Sequence, residues 1–386
     1  MGWVGTWAST PAATDGFHFS GQTLRMIAHV SIGGIQLRVK ISNAYGKRQL
    51  KIGAATIACR TERAAIDPQT LRTLTFDGQE TTAISAGAFA VSDEVALEFA
   101  PLSDLTISFY LPDDIREGFD VTGHATCNQT NYISSPGNYV ESTELPVAQS
   151  TDTYLFVSGI DVDALAGTGG IVTLGDSLTD CNISTVDANN RWPDQLARNI
   201  IARHEKERGR LHGVMNQGIG GSKIIHDARG GSSLQRFDRD VIAQTGVTHL
   251  IFQLGINDIR NRGSDPDLVV SAEELIAGMK QMAVRAHARN IKIYAGTLLP
   301  YENEDYNPPP GLKGLYTEEG NQKRLAINSW LRQTDVFDAV IDFDKELQNP
   351  EHPNEMLPLY DCGDHLHPSD AGYIRMGDVI DLSLFD

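Results

Sequence analysis

Thr173-Leu174-Gly175-Asp176-Ser177-Leu178-Thr179-Asp180 (TLGDSLTD) ends an apolar run, Ile171–Leu174, abruptly in Gly-Asp-Ser. Such a run stopped by turn residues reads as a buried strand followed by the start of a helix. Ser177 then has two readings. It is a turn residue that opens the helix, or it is a nucleophile held at the end of the strand. Gly, Asp and Ser are ordinary loop residues, so the second reading needs a base and an oxyanion site elsewhere in the chain.

Outward from this stretch the same rhythm recurs. Short apolar runs appear at Gly213–Asn216, His249–Leu254, Ile291–Leu298 and Ala339–Phe343, with helical patterns between them. One helix opens at Arg191-Trp192-Pro193, with proline suited to the first turn and Trp192, Leu196 and Ile200 on one face. Another opens with the capping box Ser271-Ala272-Glu273-Glu274 and carries Leu275, Met279 and Met282 at helical spacing. A last one follows Pro368-Ser369, with Tyr373, Met376 and Ile380 on a face. Strands alternating with helices imply parallel strands joined by right-handed crossovers. The expected domain is therefore a three-layer α/β/α one, flavodoxin-like, with a parallel five-stranded sheet.

The first part of the chain has a different period. Ile35, Leu37, Val39 and Ile41 alternate with polar residues, as do Val95, Leu97 and Phe99, and Leu105, Ile107, Phe109 and Leu111. These are half-buried antiparallel strands. They predict an all-β sandwich of jelly-roll type. The small, polar stretch Ser158–Gly170 marks the junction, giving domains over residues 1–166 and 167–386.

The 386 residues carry 32 Lys and Arg against 50 Asp and Glu, a formal charge of 32 − 50 = −18. So acidic a chain repels nucleic acid and anionic membranes, and no nucleic-acid or membrane partner is expected. No apolar run approaches the roughly 20 residues of a membrane span. The opening Met1-Gly2-Trp3-Val4-Gly5 has no basic and apolar leader. The expectation is a cytoplasmic chain as written, or a secreted one whose leader is absent. Cys59, Cys127, Cys181 and Cys362 form no CxxC pair, which excludes zinc-ribbon and redox-motif readings. Cys181 and Cys362 flank candidate site segments and would pair if those segments met in disulfide geometry.

Four pieces bear on Ser177. Asn216-Gln217-Gly218-Ile219-Gly220-Gly221-Ser222 is a glycine-rich loop that lets backbone N–H groups face a ligand, although its spacing is not that of a phosphate loop. In Gly255-Ile256-Asn257-Asp258, Asn257 is either an amide donor or a helix cap. In Asp361-Cys362-Gly363-Asp364-His365-Leu366-His367-Pro368, a single turn can fold Asp364 back on His367; the carboxylate would then fix the tautomer while the other ring nitrogen faces Ser177. The His-x-His pair with two aspartates also fits metal ligation, or His365 is simply packed or exposed; a metal needs three or four convergent ligands and none is evident elsewhere in the chain, so no metal and no cofactor are expected.

In this order the pieces resemble the SGNH (GDSL) hydrolase family. Its four blocks match Gly175-Asp176-Ser177-Leu178, Asn216-x-Gly218-x-x-Gly221, Gly255-x-Asn257-Asp258 and Asp364-x-x-His367. The resemblance implies a nucleophile at Ser177, a base at His367 and an orienting acid at Asp364. It also implies an oxyanion hole from the Ser177 and Gly221 N–H groups and the Asn257 side chain. Adjacent Gly220 leaves the register of the second block open, and counting from Asn216 selects Gly221. Gly5-Thr6-Trp7-Ala8 and Ser42-Asn43-Ala44-Tyr45-Gly46 resemble the β-domain of a two-domain branch of that family.

The expected activity is a serine esterase acting on short acyl esters, acetyl among them, of small molecules or saccharides. The alternatives are a lipase or thioesterase of broader acyl range, and a carbohydrate-binding protein on a hydrolase scaffold. Asp176 reads as a structural loop residue. Trp192 reads as core first and substrate wall second. His124 reads as locally satisfied. The substrate-binding residues and the oligomeric state are not legible. Tyr301–Gly320, with Pro308–Pro310 and three tyrosines, reads equally as an overhang of the site or as an excursion packed on the body.

Overall fold

The computed structural model describes residues 2–116, 121–228, 230–260, 268–306 and 315–386. The chain forms two compact units, Met1–Thr168 with Gly213–Met215, and Gly169–His212 with Asn216–Asp386. We propose residues 166 and 167 as the junction of the domains.

The N-terminal region is built of antiparallel sheets. The larger orders its strands Val147–Thr151, Asn131–Pro136, Phe19–His29, Asp104–Ile115, Ala54–Cys59 and Arg72–Thr73. A second sheet has the path Gly2–Ala8, Val157–Ala164, Gly34–Ser42 and Val95–Phe99. Leu105, Ile107, Phe109 and Leu111 are fully buried, but so are Thr106 and Ser108 between them. This central strand is covered on both faces, not half-buried as its alternation predicts. Leu37, Val39 and Ile41 point into the core, whereas Ile35, at the start of their strand, is 64% exposed. Parity sets the face of a side chain, but the end of a strand can outrun its cover.

The α/β part of the chain is organised by a five-stranded parallel sheet of order His212–Gly218, Gly169–Gly175, Val247–Gln253, Lys292–Gly296, Ala339–Ile341. Numbered along the chain this is 2-1-3-4-5, the doubly wound flavodoxin-like order. Every residue of Gly169–Gly175 is buried, as a central parallel strand must be. Helices cover the sheet as two packed groups. Trp192–Glu207 lies with Phe343–Leu347 and Asp370–Asp378, and Ala272–His287 with Glu318–Leu331. Trp192, Leu196 and Ile200 are buried, each side chain contributing about 1.5–3 kcal/mol. Pro193 stands in the first turn of its helix, and the Ser271 capping box forms with both of its bonds. The helix Glu318–Leu331 has no counterpart among the helical patterns of the sequence; its first turn lies within the Tyr301–Gly320 segment, Thr317 capping it through the Gly320 N–H. Among the described residues no helix is long and apolar enough to cross a membrane.

Candidate active site

The strand Gly169–Gly175 runs into the four-residue helix Ser177–Asp180. Asp176 caps that helix, its carboxylate accepting the Leu178 N–H at 2.9 Å, so Ser177 stands on the first turn at the carboxyl edge of the sheet. Asn216 ties the next strand end to it. Its Nδ2 donates to the Thr179 carbonyl and its Oδ1 accepts the Gly218 N–H, both at 2.9 Å. A Cβ on Gly218 would strike the backbone of Asp180, so only glycine lets these strand ends meet. Gly221 lies beyond the turn at φ +80°, in the left-handed region that favours glycine. Neither the Ser177 nor the Gly221 N–H meets an acceptor among the described residues.

The last segment arrives from 190 residues away. Asp364 accepts the Leu366 and His367 N–H groups on Oδ1, at 2.9 and 2.7 Å. Its Oδ2 lies 2.7 Å from His367 Nδ1. His367 Nε2 lies 2.9 Å from Ser177 Oγ, with His367 fully buried and Ser177 only 7% exposed. Burial pushes the Asp364 carboxyl up, but the His367 side chain and the two N–H groups outweigh it and hold it at about 2. An ionised carboxylate only accepts, so the neutral imidazole carries its proton on Nδ1. Nε2 is then an acceptor, and the Ser177 hydroxyl donates to it.

Asn257 follows the third strand in the short helix Ile256–Ile259. Its Nδ2 donates to the Ser222 carbonyl at 3.3 Å, and its Oδ1 accepts from Arg260 Nη1 at 3.2 Å. Asp258 pins the second loop, accepting the N–H groups of Ile224 and Ile225. Burial raises the Asp258 carboxyl to about 6 against those two bonds. Asp176 rises to about 7, chiefly by burial, with Asp258 adding to the Leu178-opposed shift.

The structure thus brings Ser177, His367 and Asp364 into one hydrogen-bonded line, and sets Gly221 and Asn257 on the two neighbouring strand ends. None of the four cysteines, Cys181 and Cys362 included, forms a disulfide. The meeting of the Cys181 and Cys362 segments does not join the two sulfurs in a disulfide. Asp361, Cys362 and Asp364 each bring one ligand atom within 4.8 Å of the others. Asp364 is occupied by His367, and Asp361 by His365 Nδ1 at 2.6 Å. Trp192 is core, and His124 is buried with its Nδ1 3.0 Å from the Thr10 carbonyl. The Tyr301–Gly320 segment divides: Tyr301 packs in the body against Tyr316, while Tyr306 sets its ring 4.6 Å from that of His367, edge to face. The Asp305 N–H donates to the Asp364 carbonyl. Pro308–Pro310 lie outside the described residues.

Three residues near the site escaped the sequence reading. Arg236, fully enclosed, donates to the carbonyls of Gly175 and Gln217 and to Ser222 Oγ, tying the first two strand ends together. Arg260 and Glu304 form a buried ion pair behind Asn257. Only Arg260, three residues after Asn257, carried any sequence signal, and it was a weak one.

The profile of the GDSL-like Lipase/Acylhydrolase family matches residues 173–375, more than half of the chain. The chain belongs to this family. It is a carboxylic ester hydrolase of the GDSL type. Among solved structures, it is similar to a GDSL-like lipase from Bacteroides thetaiotaomicron at 18% identity, over 54% of this chain and 84% of that one, with a TM-score of 0.37. It is similar to the acetylxylan esterase Axe2 from Geobacillus stearothermophilus at 18% identity, over 55% and 91%, TM-score 0.39. The carbohydrate acetylesterase Est24 from Sinorhizobium meliloti is 14% identical over 54% and 94%, TM-score 0.41. No curated protein matches the chain.

Proposed function

We propose that this GDSL hydrolase is a serine esterase for short acyl esters, acetyl first, including those of saccharides. Ser177 is the nucleophile, His367 the base and Asp364 its orienting acid. The observation that carries the reading is the line Asp364 Oδ2–His367 Nδ1–His367 Nε2–Ser177 Oγ, at 2.7 and 2.9 Å. His367 takes the Ser177 proton as Oγ attacks the ester carbonyl. The imidazolium returns that proton to the leaving alcohol, giving an acyl-enzyme. A water, deprotonated by His367, attacks the acyl carbon, and Ser177 leaves with the proton back on Oγ. Asp364 holds the tautomer and offsets the imidazolium charge without itself taking a proton. The Ser177 and Gly221 N–H groups and Asn257 Nδ2 take the negative charge that develops on the carbonyl oxygen.

Two features support a small acyl group. Ser177 and His367 are nearly enclosed, and the Tyr306 ring occupies the space against the imidazole. The acidity of the chain supports a neutral ester over an anionic one. A series of aryl esters from acetate to octanoate, run beside acetylated sugars, tests the reading. It predicts kcat/KM greatest for the acetate and falling along the series, with acetate released from the sugars. Rising values toward octanoate contradict the short-acyl reading, and absence of turnover on every ester contradicts the assignment of the site.

A further inference from the structure

Asn257 can serve an oxyanion only if its amide is turned one way. Its Nδ2 must face the reacting oxygen, and an amide in a pocket without directing partners turns either way. Here both ends are directed. The Ser222 carbonyl accepts one Nδ2 hydrogen at 3.3 Å, which leaves the second hydrogen for a substrate. Arg260 Nη1 donates to Oδ1 at 3.2 Å. Turning the amide over would set its NH2 against the guanidinium and its carbonyl against the Ser222 carbonyl, losing both bonds and creating two repulsions.

Arg260 is itself fixed. Its Nη2 is bound to Glu304 Oε1, with the two side chains 2% and 0% exposed. Glu304 Oε2 accepts the Leu315 N–H at 2.6 Å. A buried ion pair gains little over well-packed apolar side chains, so stability alone is a poor reason for one at this place. Its geometry offers another reason. The cation draws electron density from Oδ1, which makes Nδ2–H a stronger donor, and Glu304 balances the charge so that the guanidinium stays put. Glu304 also belongs to the same segment as Tyr306, the residue lying on His367.

We propose that Arg260, braced by Glu304, is the positioning residue that orients and polarises the Asn257 oxyanion donor; this rests on the esterase reading above. The test is a double-mutant cycle in the full-length chain, with kcat and KM on an aryl acetate and thermal unfolding for each variant. Arg260→Lys is expected to lower kcat roughly tenfold and leave KM within about twofold, because the interaction matters only as charge develops. Glu304→Gln is expected to act in the same direction, more weakly. In the Asn257→Ala background both losses should vanish, since the group they act through is gone. Losses that multiply in that background, or wild-type kcat in both single variants, overturn the proposal while leaving the esterase reading intact. If Arg260→Lys does not fold, the Glu304→Gln cycle decides by the same criterion. Near-normal turnover by Asn257→Ala alone overturns the oxyanion assignment, and the proposal with it.

Discussion

At Asn257 the cost of losing one donor can be separated from the cost of losing the fold. Asn257→Ala removes the proposed oxyanion donor, and kcat is expected to fall a hundredfold or more, about 3 kcal/mol in the barrier. It also leaves Arg260 Nη1 without its acceptor, so stability falls by about 1–2 kcal/mol and the protein still folds. Steady-state kinetics and denaturant unfolding read the two effects separately. Asp176 carries a different prediction. Burial lifts its carboxyl from 3.8 to about 7, with the Leu178 N–H opposing and Asp258 assisting. Between those values the folded chain binds the proton better than the unfolded one, so ionising Asp176 works increasingly against folding as pH rises through the window. Asp176→Asn keeps an oxygen for the Leu178 N–H and does not titrate. Its stability relative to the parent is expected to rise by about 1–3 kcal/mol between about pH 5 and about pH 8. A flat difference in unfolding free energy would contradict the assignment. The four blocks were legible because each is a fixed local spelling. Arg260 with Glu304 was not, because the partners lie 44 residues apart and no period or spacing links them.

Among the elements, the strand ends set the site, and glycine decides how closely they approach. Gly218→Ala would push a Cβ into the Asp180 backbone, which cannot move without shifting the Ser177 helix. A stability loss of about 1–3 kcal/mol and a collapse of kcat are expected. Gly221→Ala meets open space at φ +80°, so its cost is backbone strain alone, about 1 kcal/mol. Equal effects of the two substitutions on unfolding would contradict this account. The parallel strands and the capped helices could be read from apolar runs and caps. The helix Glu318–Leu331 could not, because its buried face is largely polar. Arg324 donates to Asp344 at 2.6 Å, and Asn328 bonds the Leu298 N–H and carbonyl. Apolar periodicity does not register a face whose partners are hydrogen bonds. The same blindness hid the burial of Thr106 and Ser108.

For the whole molecule, acid stability depends on groups far from the chemistry. His212 and His249 pack edge to face, 5.2 Å apart, with Phe385 against both. Burial lowers each imidazole from 6.5 to about 4, and in His249 the neighbouring His212 adds to it. The unfolded chain binds these protons first. The contribution of the pair is therefore complete above about pH 6.5 and is lost as pH falls toward 4. Unfolding free energy should decline across that window, and His249→Gln should flatten the decline; an unchanged slope would contradict it. Composition and period foretold a β-rich region ahead of a doubly wound α/β unit. They did not foretell which side chain packs on the His367 imidazole, because Tyr306 reaches it only through the folded chain. Whether the hydroxyl of Ser177 is the attacking group is decided by intact-mass and peptide mass spectrometry after treatment with an aryl phosphonate. One adduct per chain is expected, on Ser177, with esterase activity lost in step and no adduct on His367→Ala over the same time. An unlabelled Ser177 in folded, ester-hydrolysing protein would contradict that role.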